Sequence, residues 1–126
     1  MFGKEKKKDS GLAAAIERLA EAETVAFGGV GLAGSLLPET EAYQQVTAAI
    51  RDQPDGVRDQ LDQLLSAGTA AGRLYAATLL EQCDPAAGRA AWVALRRDPA
   101  EVQTMTGCIM GTTTVGEYAA ERLAGA

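Results

Sequence analysis

A chain of 126 residues is short enough to form one domain. An aromatic share of 5% argues against a sandwich or barrel, whose strands draw on aromatic and β-branched side chains. A net charge of −5 disfavours bulk binding to nucleic acid, and no apolar run is long enough to span a bilayer.

Every lysine falls in the first eight residues, as Lys4, Lys6, Lys7 and Lys8. Residues 1–9 therefore read as a disordered, solubilising basic tail ahead of a single α-helical domain over 10–126. Four lysines beside Glu5 and Asp9 are only marginally attracted to an anionic surface. The charged start is not followed by the apolar core of a signal peptide. With only two cysteines in that setting, a reducing cytoplasm is the expected compartment. The Ala-, Gly- and Arg-rich body is the composition expected of a GC-rich bacterial genome.

The first helix is expected over 11–22, with Leu12, Ile16 and Leu19 on one face and Glu17, Arg18 and Glu21 toward the other. A short β-prone run, Thr24-Val25-Ala26-Phe27, comes next. After it stand Gly28 and a literal G-x-G-x-x-G, Gly29-Val30-Gly31-Leu32-Ala33-Gly34. A dinucleotide site needs those glycines to open a helix, and a second parallel strand with an acid at its end. Pro38 interrupts soon after Gly34, and the segment up to Ile50 has helical spacing. Gly28, Gly29, Gly31 and Gly34 are therefore read as a structural loop, with glycine chosen for tight turns or close backbone approach.

Pro38, Glu39 and Glu41 mark a helix start, and Tyr43, Val46 and Ile50 form its buried stripe. Gln53-Pro54-Asp55-Gly56 ends it. Val57, Leu61, Leu64 and Leu65 then give the clearest amphipathic pattern in the chain, and Gly68 supplies a C-terminal stop. Asp52, Asp55, Asp59 and Asp62 do not match calcium-loop spacing and read as a solvated acidic face.

The centre of the chain is GTAAGRLYAATLLEQCDPAAGRAAWVALRR, read as two helices around which the rest packs. Thr69 caps the first, whose apolar residues cover most of its circumference, so Leu74 should be central to the core. Asp84-Pro85 caps the second, which ends near Arg96 and Arg97. Ala70-Ala71-Gly72-Arg73 returns as Ala86-Ala87-Gly88-Arg89, which leaves two readings, chance likeness or a short helical-repeat array. Arg89 lies at a helix start, where the dipole disfavours a cation. A carboxylate, Asp84 or one on an adjacent helix, is expected to hold it. Asp98-Pro99, with Glu101 behind it, reads as a third helix cap.

Val102-Gln103-Thr104-Met105-Thr106-Gly107-Cys108-Ile109 and the threonines after it are the least helical part, and a short β-hairpin or loop is expected near 102–113. Thr114 and Glu117 have capping-box spacing ahead of a last helix.

Histidine is absent, which removes the commonest general base and zinc ligand. Cys83 and Cys108 are too few for a structural zinc site and are expected to be buried, poorly reactive thiols. No catalytic, cofactor-binding or metal-ligating residue is assigned. Trp92 reads as core or as part of a protein-binding face with Arg89, Arg96 and Arg97.

Gly28-Gly29-Val30-Gly31-Leu32-Ala33-Gly34, Ala71-Gly72-Arg73-Leu74-Tyr75-Ala76 and Thr106-Gly107-Cys108-Ile109, in that order, resemble a family of small bacterial HEAT-like α-helical domains of unknown function. The resemblance implies a curved stack of about six helices and no catalytic residues. With the capped, apolar-periodic segments above, the expected fold is all-α, a HEAT-like helical repeat or an irregular helical bundle of about six helices, with a short hairpin or loop near 102–113. The expected role is a cytoplasmic adaptor or immunity-like domain that binds a protein partner, without catalysis or a cofactor. The alternative is a small nucleotide-binding protein or enzyme that uses the 29–34 loop or Cys108.

Overall fold

The computed structural model describes residues 2–26, 38–52, 54–106 and 109–125. Among them run α1 (Phe2–Ala20), β1 (Thr24–Val25), α2 (Pro38–Asp52), α3 (Pro54–Ala67), α4 (Ala70–Cys83), α5 (Pro85–Leu95), β2 (Glu101–Thr106), β3 (Ile109–Thr114) and α6 (Val115–Gly125). The class is mainly helical as expected, with six helices among the described residues, and the expected hairpin is part of a small three-stranded sheet. The lysine-bearing stretch read as a tail carries helical backbone from Phe2 onward, continuous with α1. Among the described residues, no helix is long and apolar enough to cross a membrane.

α4 is the centre of the molecule. It touches every other helix and the strands β1 and β2. Ala71, Leu74, Tyr75, Ala76, Ala77, Leu79 and Leu80 are all buried along it, with Leu74 at 0% exposure. Its apolar residues run almost all the way round, so no single neighbour could cover them. Val46 and Ile50 of α2, and Val57, Leu61 and Leu64 of α3, join the same core as Leu19 of α1 and Trp92 of α5.

The start of α4 is locked to the end of α1. Thr69 Oγ1 accepts from Gly72 N–H (3.1 Å) and donates to Ala22 O (2.5 Å), so one hydroxyl both caps α4 and ties down the preceding chain. Thr69 N–H donates to Ala20 O (3.0 Å). Gly72 makes the approach feasible: a Cβ there would lie 2.5 Å from Leu19 O.

One turn along, the Tyr75 hydroxyl accepts from Ala26 N–H (2.8 Å). It also stands within donating distance of Ala26 O (2.9 Å) and Thr24 O (3.2 Å). Thr40 Oγ1 of α2 donates to Ala26 O (2.7 Å). β1 is thereby fixed against α4 and α2 as it leaves the sheet. Burial pushes the Tyr75 hydroxyl up to about 12, against the smaller opposing effect of its Ala26 hydrogen bond.

Asp84 caps α5, accepting from Ala86 N–H (3.0 Å), with Pro85 in the first turn as the sequence requires. The second Asp-Pro behaves differently. Asp98 Oδ1 accepts from Ala100 N–H (2.9 Å), the same local turn, but the chain then enters β2 instead of a helix, and Glu101 is its first strand residue. The cap expected at Asp98 is thus a turn into a strand. The residues after it, Val102, Thr104 and Thr106, favour the extended backbone.

β2 pairs antiparallel with β3, from Glu101 opposite Thr114 to Thr106 opposite Ile109, so the expected hairpin is present. β1 adds a short parallel edge, Thr24 opposite Gln103 and Val25 opposite Thr104. Thr114 Oγ1 accepts from Glu117 N–H (3.1 Å) and caps α6. The Glu117 carboxylate accepts from Thr113 Oγ1 (3.2 Å).

Candidate functional site

The exposed strip of α4 is narrow. Thr78, Glu81 and Gln82 recur at i, i+3 and i+4, which sets them on one face of an otherwise buried helix. α2 contributes Tyr43 on one side of that strip. α6 contributes Tyr118 and Arg122, four residues apart, on the other. These six side chains line an open groove of about 410 Å³. That volume falls within the range of small-ligand sites.

Each wall of the groove is an aromatic ring backed by another. Tyr43 lies 5.9 Å from the ring of buried Tyr75, and Tyr118 lies 5.8 Å from the ring of buried Trp92. Tilted pairs at this spacing are favourable beyond the area they bury. Gln82 Nε2 donates to the Tyr43 hydroxyl (2.8 Å), joining α4 to α2 across the floor.

Glu81 is the chemical centre. Its Oε2 accepts from Trp92 Nε1–H (2.8 Å) and from Arg122 Nη2 (3.2 Å). Both bonds use the same oxygen. The Arg122 guanidinium also stands 5.5 Å from the centre of the Trp92 ring, a cation–π contact. Gly88 brings α5 against Glu81 so closely that a Cβ on it would overlap the Glu81 Cα. Burial pushes the pKa of the Tyr118 hydroxyl up, the Arg122 charge opposes this, and Tyr43 and Glu121 add to the rise. The Tyr118 phenol is therefore a neutral donor at ordinary pH.

Of the residues chosen from sequence, Arg89, Arg96 and Arg97 do not line the groove, and Trp92 backs it from beneath. Trp92 is 2% exposed and belongs to the core. Arg89, Arg96 and Arg97 are exposed along α5 and its C-terminal turn, and the large apolar side chain exposed between them is Val93. No carboxylate holds Arg89 among the described residues. Asp84, the candidate named from sequence, pairs with Arg58 (3.2 Å) and caps α5. Of the two arginines in the repeated Ala-Ala-Gly-Arg, the one that is held is Arg73, paired with Asp98 in a partly buried bridge whose side chains are 26% and 14% exposed. Asp98 also accepts from Gly116 N–H through its carbonyl (2.9 Å), so one residue joins α4, the β2 turn and α6.

Cys83 is half-buried against the core rather than fully buried. Gly28, Gly29, Gly31, Gly34 and Cys108 lie outside the described residues. Among the described residues, no three His, Cys, Asp or Glu side chains are grouped to hold a metal ion.

Sequence reading missed Glu81 and Arg122 because neither stands in a motif. The available signal was Thr78, Glu81 and Gln82 as the polar strip in the second half of an otherwise apolar helix. Tyr43 read as core, and half of it is. No family model matches the chain, and no curated protein or solved structure matches it.

Proposed function

We propose that the chain is a non-catalytic protein-interaction domain, working as an adaptor or immunity-like module in the cytoplasm. The observation that carries this reading is the groove between α2, α4 and α6. Its walls are rigid because each half-buried tyrosine is braced by a buried aromatic, and its floor is the most buried helix of the fold. A preformed surface loses little conformational entropy on binding. The successive packing of α3 on α4 and α4 on α5 supports the HEAT-like stack as the finer description, with the sheet as an inserted element. A second contact face is Arg89, Arg96 and Arg97 with Val93. Its guanidinium groups are exposed and carry no ion pair among the described residues.

Affinity capture with the intact chain from its native host tests the reading. A partner recovered in fixed stoichiometry is the expected result. It should be lost when the groove wall is altered by Tyr118→Ala or when the α5 face is reversed by Arg89→Glu with Arg97→Glu, in variants that melt as folded proteins. No partner enriched by the wild type over both variants would contradict it.

A further inference from the structure

The groove already holds one cation, and its setting shows what the site accepts. Arg122 reaches over the Trp92 ring to Glu81, with 44% of its side chain exposed and 39% of the Glu81 side chain exposed. Such an exposed pair is weak, because water competes for both charges. Glu81, in contrast, is held without Arg122. Trp92 Nε1–H bonds its Oε2, and the close contact with Gly88 fixes its backbone. Oε1 has no hydrogen-bond partner among the described residues. The carboxylate is thus a fixed acceptor, and Arg122 is the replaceable member of the pair.

The surroundings favour an incoming cation over an anion. The three lining helices carry Glu39, Glu41, Asp52, Glu81, Glu117 and Glu121, against Arg51, Arg73 and Arg122. Arg73 is already engaged by Asp98. The net charge of the whole chain is −5. Tyr43 and Tyr118 offer aromatic walls to a planar cation, and the Tyr118 hydroxyl has no hydrogen-bond partner among the described residues.

We infer that the groove is the docking site for an arginine side chain of a basic partner protein, and that Arg122 is an internal stand-in which the partner's guanidinium displaces. The planar guanidinium would take Glu81 through both carboxylate oxygens, where Arg122 uses one. This deepens the interaction reading above and rests on it. Arg122, freed, swings to solvent at the C-terminal end of α6, where a cation suits the helix dipole.

Trp92 is the only tryptophan, and it touches Glu81, Tyr118 and Arg122, so its fluorescence reports on the site. The intact protein is titrated with the peptide acetyl-Gly-Arg-Gly-amide and with the same peptide carrying citrulline, an uncharged isostere. A saturable change with the arginine peptide and none with the citrulline peptide is expected in the wild type. Arg122→Ala removes the internal competitor and should bind the arginine peptide about tenfold tighter, while Glu81→Gln should not bind it. Equal responses to both peptides in the wild type would overturn the inference, a comparison that needs no variant to fold. So would no response in either wild type or Arg122→Ala. A captured partner that binds Glu81→Gln as it binds wild type would remove the groove assignment and leave the interaction reading standing. Arginine-peptide binding with no partner captured would keep the groove and remove that reading.

Discussion

Ala70-Ala71-Gly72-Arg73 near the start of α4 and Ala86-Ala87-Gly88-Arg89 near the start of α5 are the same four residues, each behind a side-chain cap. Both glycines do the same work. Gly72 lets α4 meet the end of α1, and Gly88 lets α5 meet Glu81 of α4. The arginines do not. Arg73 is bridged to Asp98, while Arg89 is exposed and makes no ion pair among the described residues. The residues after them diverge too, since Leu74 is 0% exposed and its counterpart Ala90 is exposed. A local sequence can set a helix start and a close approach, because both depend on cap and backbone. What its long side chain does depends on whatever the topology sets opposite. α4 is enclosed on most sides, and α5 presents one face to solvent.

The comparison is broken most severely at Leu74. Leu74→Ala should cost about 2–5 kcal/mol, the range for truncating an enclosed leucine. A substitution at exposed Ala90, such as Ala90→Ser, should stay within about 0.5 kcal/mol. Denaturant midpoints with unchanged slope would measure both. Equal effects at the two positions would remove α4 from the centre of the fold.

The glycines sharpen the likeness. Gly72→Ala and Gly88→Ala should each destabilise by about 1–3 kcal/mol through overpacking, although alanine is the better helix former. Gly88→Ala should also move Glu81 and so change Trp92 fluorescence, whereas Gly72→Ala should leave it alone. A stabilising effect of either alanine, read from thermal melts, would show that the helices can part without cost.

Tyr75 and its counterpart Ala91 differ in a way that pH can read. The Tyr75 hydroxyl ionises near 12 in the folded chain, against an ordinary value of 10.0. The unfolded chain therefore loses this proton first. The associated stability is fully present below about pH 10 and is lost as pH rises toward 12. Tyr75→Phe should flatten that alkaline decline while lowering stability at neutral pH through the lost Ala26 and Thr24 bonds. A decline unchanged in the variant would assign it to another group.

The smallest effect is expected at Arg89. Arg89→Ala should melt within about 0.5 kcal/mol of wild type, because an exposed side chain with no ion pair contributes little. A loss above about 1 kcal/mol would restore the structural role that its place at a helix start first indicated.

Much of the helical frame was legible because it is written locally. Thr69, Asp84 and Thr114 are caps, and Val57, Leu61 and Leu64 mark one face of α3. The hairpin was legible as a threonine-rich stretch that weakens any helix. The parallel pairing of β1 with β2 was not, since it joins Thr24 to Gln103 across most of the chain. The groove was hidden for the same reason. Tyr43, Glu81 and Tyr118 are far apart in sequence, and each has an ordinary explanation on its own helix. Asp98 misled in the opposite direction: its Asp-Pro made the expected turn, but β-favouring residues followed it.

The most direct test of the central claim, that fold context and not local sequence assigns the two arginines, is a double-mutant cycle on Arg73 and Asp98. Arg73→Ala should cost about 1–3 kcal/mol, between the exposed and fully buried limits for breaking an ion pair. Arg73→Ala and Asp98→Ala should be non-additive by about 1 kcal/mol or more. Additive effects, with Arg73→Ala melting like wild type and like Arg89→Ala, would contradict the claim.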